Sequence, residues 1–347
     1  MGDSENSFSV KARNMSALAA LCVIVIHAGG EGMGSFGAKV MNHVFGWGLC
    51  TFAVPWFFFA SGYFFAGHLE EKGWWLRSIR SRLRTLVLPY VVWCSLYACF
   101  AAGIEVCRSL EVGRAAMTGM SWRWFLVQGL GLDVSHHPLL VPLWYVRCLL
   151  IIVLLSPALV WALRRGRWWI PAAIIPPYVY CCGLRDRYTM PWFLFYSTIS
   201  LAGWLYFSIG VLARREHWAE KKCCVPTWAC WAAALAVICA GRMALFYGMP
   251  RVAWCSWLVG IPPLLLAVWR LVPDRAWPKW FVTAAFPVYV MHYFFEHSLE
   301  SFVLPLAHPS MWAYVLRAVI VAILSLWAAN LLRTFIPRES SDLFGGR

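Results

Sequence analysis

The chain has 347 residues, of which 61% are hydrophobic and 17% aromatic, and only 13% are charged. A globular chain is typically about 45–50% apolar and about 25% charged, so this supply cannot cover a water-facing surface, and a soluble protein is excluded. The 30 Lys and Arg against 16 Asp and Glu would suggest nucleic acid on a soluble chain; here they read as a basic rim at one membrane face, with no nucleic-acid partner.

About 20 mostly apolar residues carry a helix across the hydrocarbon. Ten segments qualify in chain order: 14–30, 44–67, 85–104, 139–163, 168–183, 192–212, 225–246, 252–268, 280–298 and 311–332. The expected fold is therefore all-α, a polytopic bundle of about ten transmembrane helices. The domain occupies 13–335, between short tails at 1–12 and 336–347. The fifth segment is the weakest, because Pro171, Pro176 and Pro177 would kink or split it. The acidic start ahead of Lys11 and Arg13 has no small-residue cleavage site, and more apolar runs follow, so no cleavable signal is expected.

Orientation follows from the connections. With the N-terminus cytoplasmic, 20 Lys and Arg fall inside, 7 outside and 3 within spans, which puts both termini in the cytoplasm. The longest connection, 105–138, then faces outward, and its apolar stretch 122–132 is expected to lie in the interface or re-enter. The 13 Cys are odd in number and mostly inside apolar runs; they fit neither a disulfide scaffold nor a metal site, and no metal is expected.

A charge deep in a bilayer costs about 2.5–3.5 kcal/mol on the lenient insertion scale, so each one asks for a partner or a task. The candidates are His27, Arg147, Arg242, His292, Glu296 and Arg317. His27 ends the first apolar run. Arg13 lies 14 residues earlier, about 21 Å along a helix and on nearly the same face, so the two can line one channel wall at opposite depths. The alternative is a packed His bonded to a carbonyl or hydroxyl. Arg147, in PLWYVR at 142–147, is either a site cation or an interface Arg on lipid phosphate. His292 and Glu296 are four apart on one face and can bond directly, or Glu296 can join a structural ion pair. Arg242 and Arg317 are close enough to span ends to snorkel. Five basic residues over 72–84 (Lys72, Arg77, Arg80, Arg82 and Arg84), with Trp74, Trp75 and Leu76 between them, make a basic amphipathic element that meets lipid headgroups or holds a phosphorylated cofactor.

Several pieces in order resemble one family: the first span closing on His27; VPWFFFASGY at 54–63; the basic run ending in RTLVLPY at 84–90; PLWYVR at 142–147, then LLSP at 154–157; and FPVYVMH at 286–292. Together they resemble the acyltransferase-3 family of bacterial membrane acyltransferases, from about Arg13 to Leu332. The resemblance implies a ten-helix bundle in the bacterial cytoplasmic (inner) membrane. It implies transfer of an acyl group, usually acetyl from acetyl-CoA, to a hydroxyl of an envelope carbohydrate or similar acceptor. The family pattern places an arginine, then ten residues, then the histidine of the first helix. Here that arginine position is Ser16, with Arg13 one turn earlier.

Acyl transfer needs a base for the hydroxyl and a donor for the oxyanion. His27 is expected to be the base, since a neutral imidazole accepts a proton, and His292 with Glu296 is the second choice. Arg147 is expected at the oxyanion or the acceptor. Arg13, Arg77, Arg80, Arg82 and Arg84 are expected on the donor's phosphates, with Ser61 and Tyr63 lining the acyl passage or packing. The competing class is a proton-coupled carrier of a small acid or sugar, using His27 and His292 as a relay.

Overall fold

The computed structural model describes residues 2–29, 36–108, 122–132, 137–184, 200–221, 224–302 and 310–335. The 336–347 tail, about the first third of the sixth expected span and half of the 105–138 connection lie outside the described residues, which are helical or irregular and include no strand.

Helix α1 (Gly2–His27) has 26 residues, about 39 Å, and runs unbroken through the expected 1–12 tail. A short helix α2 (Phe36–Met41), a π turn (Asn42–Gly46) and a 3₁₀ turn (Leu49–Phe52) lead into α3 (Ala53–Ala66). The basic element is no separate loop. Helix α4 (Trp74–Arg82) passes through a π turn (Leu83–Val87) straight into α5 (Leu88–Arg108). Pro89 has no N–H for the carbonyl one turn back, and the widened turn absorbs that missing bond.

The fourth expected span is bent by 63° between Val141–Leu154 and Ser156–Arg165. These are α6 (Trp144–Leu154), entered by a 3₁₀ turn (Val141–Leu143), and α7 (Ser156–Arg165). Pro157 sits in the first turn of α7, where proline is tolerated, and starts a new helix rather than continuing the old one. The fifth span holds together as α8 (Trp169–Leu184) despite Pro176 and Pro177 inside it. Then come α9 (Leu201–Arg215), the antiparallel pair α10 (Thr227–Phe246) and α11 (Pro250–Leu271), a helical turn (Lys279–Val282), α12 (Ala285–Phe302) and α13 (Met311–Phe335).

Five stretches are long and apolar enough to cross a membrane: Ser7–His27, Phe36–Ala66, Trp74–Cys107, Thr227–Ala244 and Met311–Phe335; the bent pair makes a sixth. The other expected spans meet α8, α9, α11 and α12, which are shorter or more polar; α12 alone carries two His and two Glu. The protein is a multi-pass, all-helical membrane protein among its described residues.

Backbone contact ties α3 to α9. A Cβ on Gly62 would lie 2.0 Å from the Phe207 carbonyl oxygen, and one on Gly210 would lie 2.1 Å from that of Phe59. Only a residue without a side chain permits this approach, as at close helix crossings in membranes. The glycine of the SGY tripeptide therefore serves packing. Helix α12 lies between α1 and α13, so three helices share one buried seam.

Candidate active site

The seam has two ends of different character. At the first, the middle of α1 is pinned to the segment before α12 by Asn14, which is buried. Its Nδ2 donates to the carbonyls of Pro273 (3.1 Å) and Arg275 (2.8 Å), and its Oδ1 accepts from the Trp277 N–H (3.2 Å). This clasp brings Lys279 beside α1. A cavity of about 630 Å³ opens there, rimmed by three cations, Arg13, Arg82 and Lys279, and walled mainly by apolar groups such as Phe57, Val146 and Phe286. Ser16, at the family's arginine position, lines it too; Ser16 Oγ donates to the Ala12 carbonyl (2.8 Å) and accepts from the Trp56 indole (3.1 Å).

Deeper in, the cavity meets an aromatic collar of Phe57, Tyr145 and Tyr289, whose ring centroids lie 5.6–6.1 Å apart. Tyr145 donates to the Phe57 carbonyl (3.2 Å), so Ser61 donates to the Tyr145 oxygen (3.0 Å). Tyr289 donates to the Pro142 carbonyl. The PLW and FPVY motifs thus meet here, and Ser61 lines the cavity.

Beyond the collar, the Tyr289 ring is 6.3 Å from that of His292, which is 5.4 Å from that of His27. His292 is fully buried. Its Nδ1 faces the Val288 carbonyl at 3.2 Å. A carbonyl can only accept, so Nδ1 carries the proton and the bare Nε2, which has no hydrogen-bond partner among the described residues, is an acceptor. His27 differs in two ways. It is partly open, and it makes no hydrogen bond to a described residue. Tyr293 meets it edge-on at 5.6 Å.

The direct His292–Glu296 bond expected from their spacing is absent. Glu296 Oε2 faces Arg317 Nη2 across the seam at 3.7 Å, and Glu300 Oε2 is 3.6 Å from the same nitrogen. Glu296 and Arg317 are 2% and 6% exposed, whereas the Glu300 side chain is 49% exposed. Arg317 does not snorkel; paired carboxylates hold it inside.

Other expected site residues lie elsewhere. Arg147 donates to the Gly131 carbonyl, while Tyr90 donates to that of Leu130 (2.7 Å); both tie the stretch Trp122–Leu132 back onto the bundle. Arg242 donates to the Trp47 carbonyl and lies over Trp257, 5.2 Å from the ring centroid, so it too is engaged by protein. Tyr63 is not at the cavity. It stacks on Phe8 at 3.9 Å and carries Arg214 on its face. Arg77 turns to the Lys72 carbonyl and to Glu71 (2.8 Å). The exposed Glu71 carboxyl is held below its usual range, first by its bond to His68 and then by Arg77. Arg80 and Arg84 are exposed on the basic element and do not line the cavity.

The residues missed in the sequence are Lys279, counted only for topology, the clasp residue Asn14, and the collar tyrosines. A polar Asn directly beside Arg13 at the start of an apolar span was the one available signal for the clasp.

A family model described as an acyltransferase domain matches residues 14–333. No curated protein and no solved structure matches the chain. The chain belongs to the acyltransferase-3 family, which does not favour the carrier alternative.

Proposed function

We propose that this member of the acyltransferase-3 family is an O-acyltransferase with His27 as its general base, moving an acyl group, acetyl by default, from acyl-CoA to a hydroxyl of an envelope carbohydrate. The excess of Lys and Arg in the connections on one side assigns the basic cavity to the cytoplasm, where acyl-CoA is made. On this reading all ten segments cross the bacterial cytoplasmic membrane and both termini lie inside. The observation that carries the proposal is that a half-buried imidazole with no hydrogen bond to a described residue lies on one seam with a cavity lined by three cations.

Clustered cations are what several phosphates require, so Arg13, Arg82 and Lys279 take the phosphates of the donor. Arg13 stands in for the arginine that Ser16 replaces, since both line the same cavity. The apolar walls suit the thioester arm, and the collar must part for the acyl carbon to reach His27. The acceptor hydroxyl enters from the other end. His27 takes its proton as the oxygen bonds to the carbonyl carbon; the carbon–sulfur bond then breaks, and the imidazolium returns the proton to the thiolate, giving ester and free CoA. Placing both reactants against one base supplies much of the rate by orientation alone. His292, fully buried behind His27, offers a bare Nε2 that can orient the catalytic ring.

Membranes carrying the protein, incubated with labelled acetyl-CoA and candidate glycans, should form labelled ester, and membranes carrying His27→Ala should not. Equal labelling by the variant at equal abundance removes His27 from the chemistry. Absence of labelling with any acyl-CoA and glycan, combined with substrate counterflow without a donor, would return the protein to the carrier class.

A further inference from the structure

We infer that Arg317 is the residue that stabilises the oxyanion formed beside His27. This role rests on the acyl-transfer reading above and goes beyond it, since the site otherwise has a base and no electrophile.

Arg317 is the one cation in the fully buried class among the described residues. Its height in the bundle is set by its own helix. Tyr314, almost one turn earlier on α13, donates to the Val25 carbonyl at 2.6 Å, two residues before His27. Across the seam, Glu296 is one turn beyond His292, whose ring neighbours that of His27. The guanidinium therefore lies near the level of the imidazole pair.

The way it is held leaves one N–H available. Both carboxylates approach the same nitrogen, Nη2, from Glu296 and Glu300. Nε is buried and has no hydrogen-bond partner among the described residues. A buried N–H left without an acceptor is costly, so an arrangement that keeps one beside a base calls for an acceptor that arrives during the reaction. The thioester carbonyl oxygen is such a group. As the hydroxyl oxygen bonds to the carbon, the C=O electron pair moves onto that oxygen, and the Nε–H donates a hydrogen bond to it. No proton is transferred. When the carbon–sulfur bond breaks, the pair returns and the bond weakens. The separate nitrogens matter: the guanidinium can keep Nη2 on carboxylates while Nε, at a fixed place in the same plane, donates, whereas an ammonium must serve every acceptor from one nitrogen. The two other candidate guanidiniums inside spans are directed at main-chain carbonyls, Arg147 at Gly131 and Arg242 at Trp47.

The test compares wild type, Arg317→Lys and Arg317→Ala in membranes, measuring kcat, KM for acyl-CoA and the amount of folded protein. Loss of one oxyanion donor lowers kcat by about 10²–10³. Arg317→Lys should fall in that range with KM for acyl-CoA unchanged, and added guanidinium should restore about tenfold of the loss in Arg317→Ala while leaving the lysine variant unaffected. Wild-type kcat in Arg317→Lys, or a loss expressed only in KM, overturns the proposal. If Arg317→Ala does not accumulate, the lysine variant decides; if neither accumulates, Arg317 is a folding residue and the proposal is wrong. Failure of wild type itself to transfer an acyl group would instead overturn the acyltransferase reading.

Discussion

Arg13, Arg82 and Lys279 ring an open cavity, while Arg317 is enclosed with Glu296 at the other end of the same seam. The residue types overlap, but the physics differs. Rim cations stay hydrated and screened, so each contributes little and its neighbours can share its task. An enclosed guanidinium has lost its water and depends on specific partners, so its position is fixed and its loss is not shared. The rim is suited to gathering a large polyanion, the enclosed cluster to holding a few atoms in one arrangement.

The largest effect expected from breaking this contrast is at His27. His27→Ala should lower turnover by about 10²–10⁴ at unchanged membrane abundance, measured by labelled-acyl transfer, because a general base contributes that much. Next is Glu296→Ala. Removing one partner of a buried pair costs about 3–5 kcal/mol; Arg317 keeps Glu300, so the lower end is expected, read as a fall in thermal stability of the purified protein in detergent. An unchanged melting temperature would mean that the cluster is better hydrated than its burial suggests.

At the rim, Arg13→Ala, Arg82→Ala and Lys279→Ala should each raise KM for acyl-CoA by about fivefold, consistent with about 1 kcal/mol per exposed charge, and with little change in kcat. The same KM should rise with added salt, whereas the kcat loss in His27→Ala should not depend on it. A salt-insensitive KM would show that the rim does not hold the phosphates. The smallest effect is at Tyr63. Its ring packs on Phe8, so Tyr63→Phe should leave kcat and KM within about twofold of wild type, the scale of a surface-type change of up to about 0.5 kcal/mol.

Part of this contrast was legible in the sequence. His27 stood out because an imidazole closing an apolar run is costly, and Arg13 because fourteen residues return to the same helical face. Arg82 and Ser61 also came out at the cavity. The errors share one cause. His292 and Glu296 are neighbours on one helix, but Glu296 turns to Arg317 on another helix, because a guanidinium across the seam offers a buried carboxylate more than an imidazole already bonded to its own backbone does. Arg147 and Arg317 look alike as single arginines in spans; one is directed to the Gly131 carbonyl and the other is flanked by carboxylates. Tyr63 shares a motif with Ser61, yet two residues along a helix are about 200° apart, so only one of them can face the cavity.

Composition by itself determined that the chain belongs in lipid and that its spans are helical, because a segment in hydrocarbon must satisfy its backbone internally, whatever its neighbours are. Which cation meets which carboxylate, that Asn14 clasps the segment carrying Lys279, and that three aromatic rings close the cavity short of His27 were decided only when the helices packed. Burial energies depend on the partner across a seam, and those partners are separated by up to 289 residues of chain.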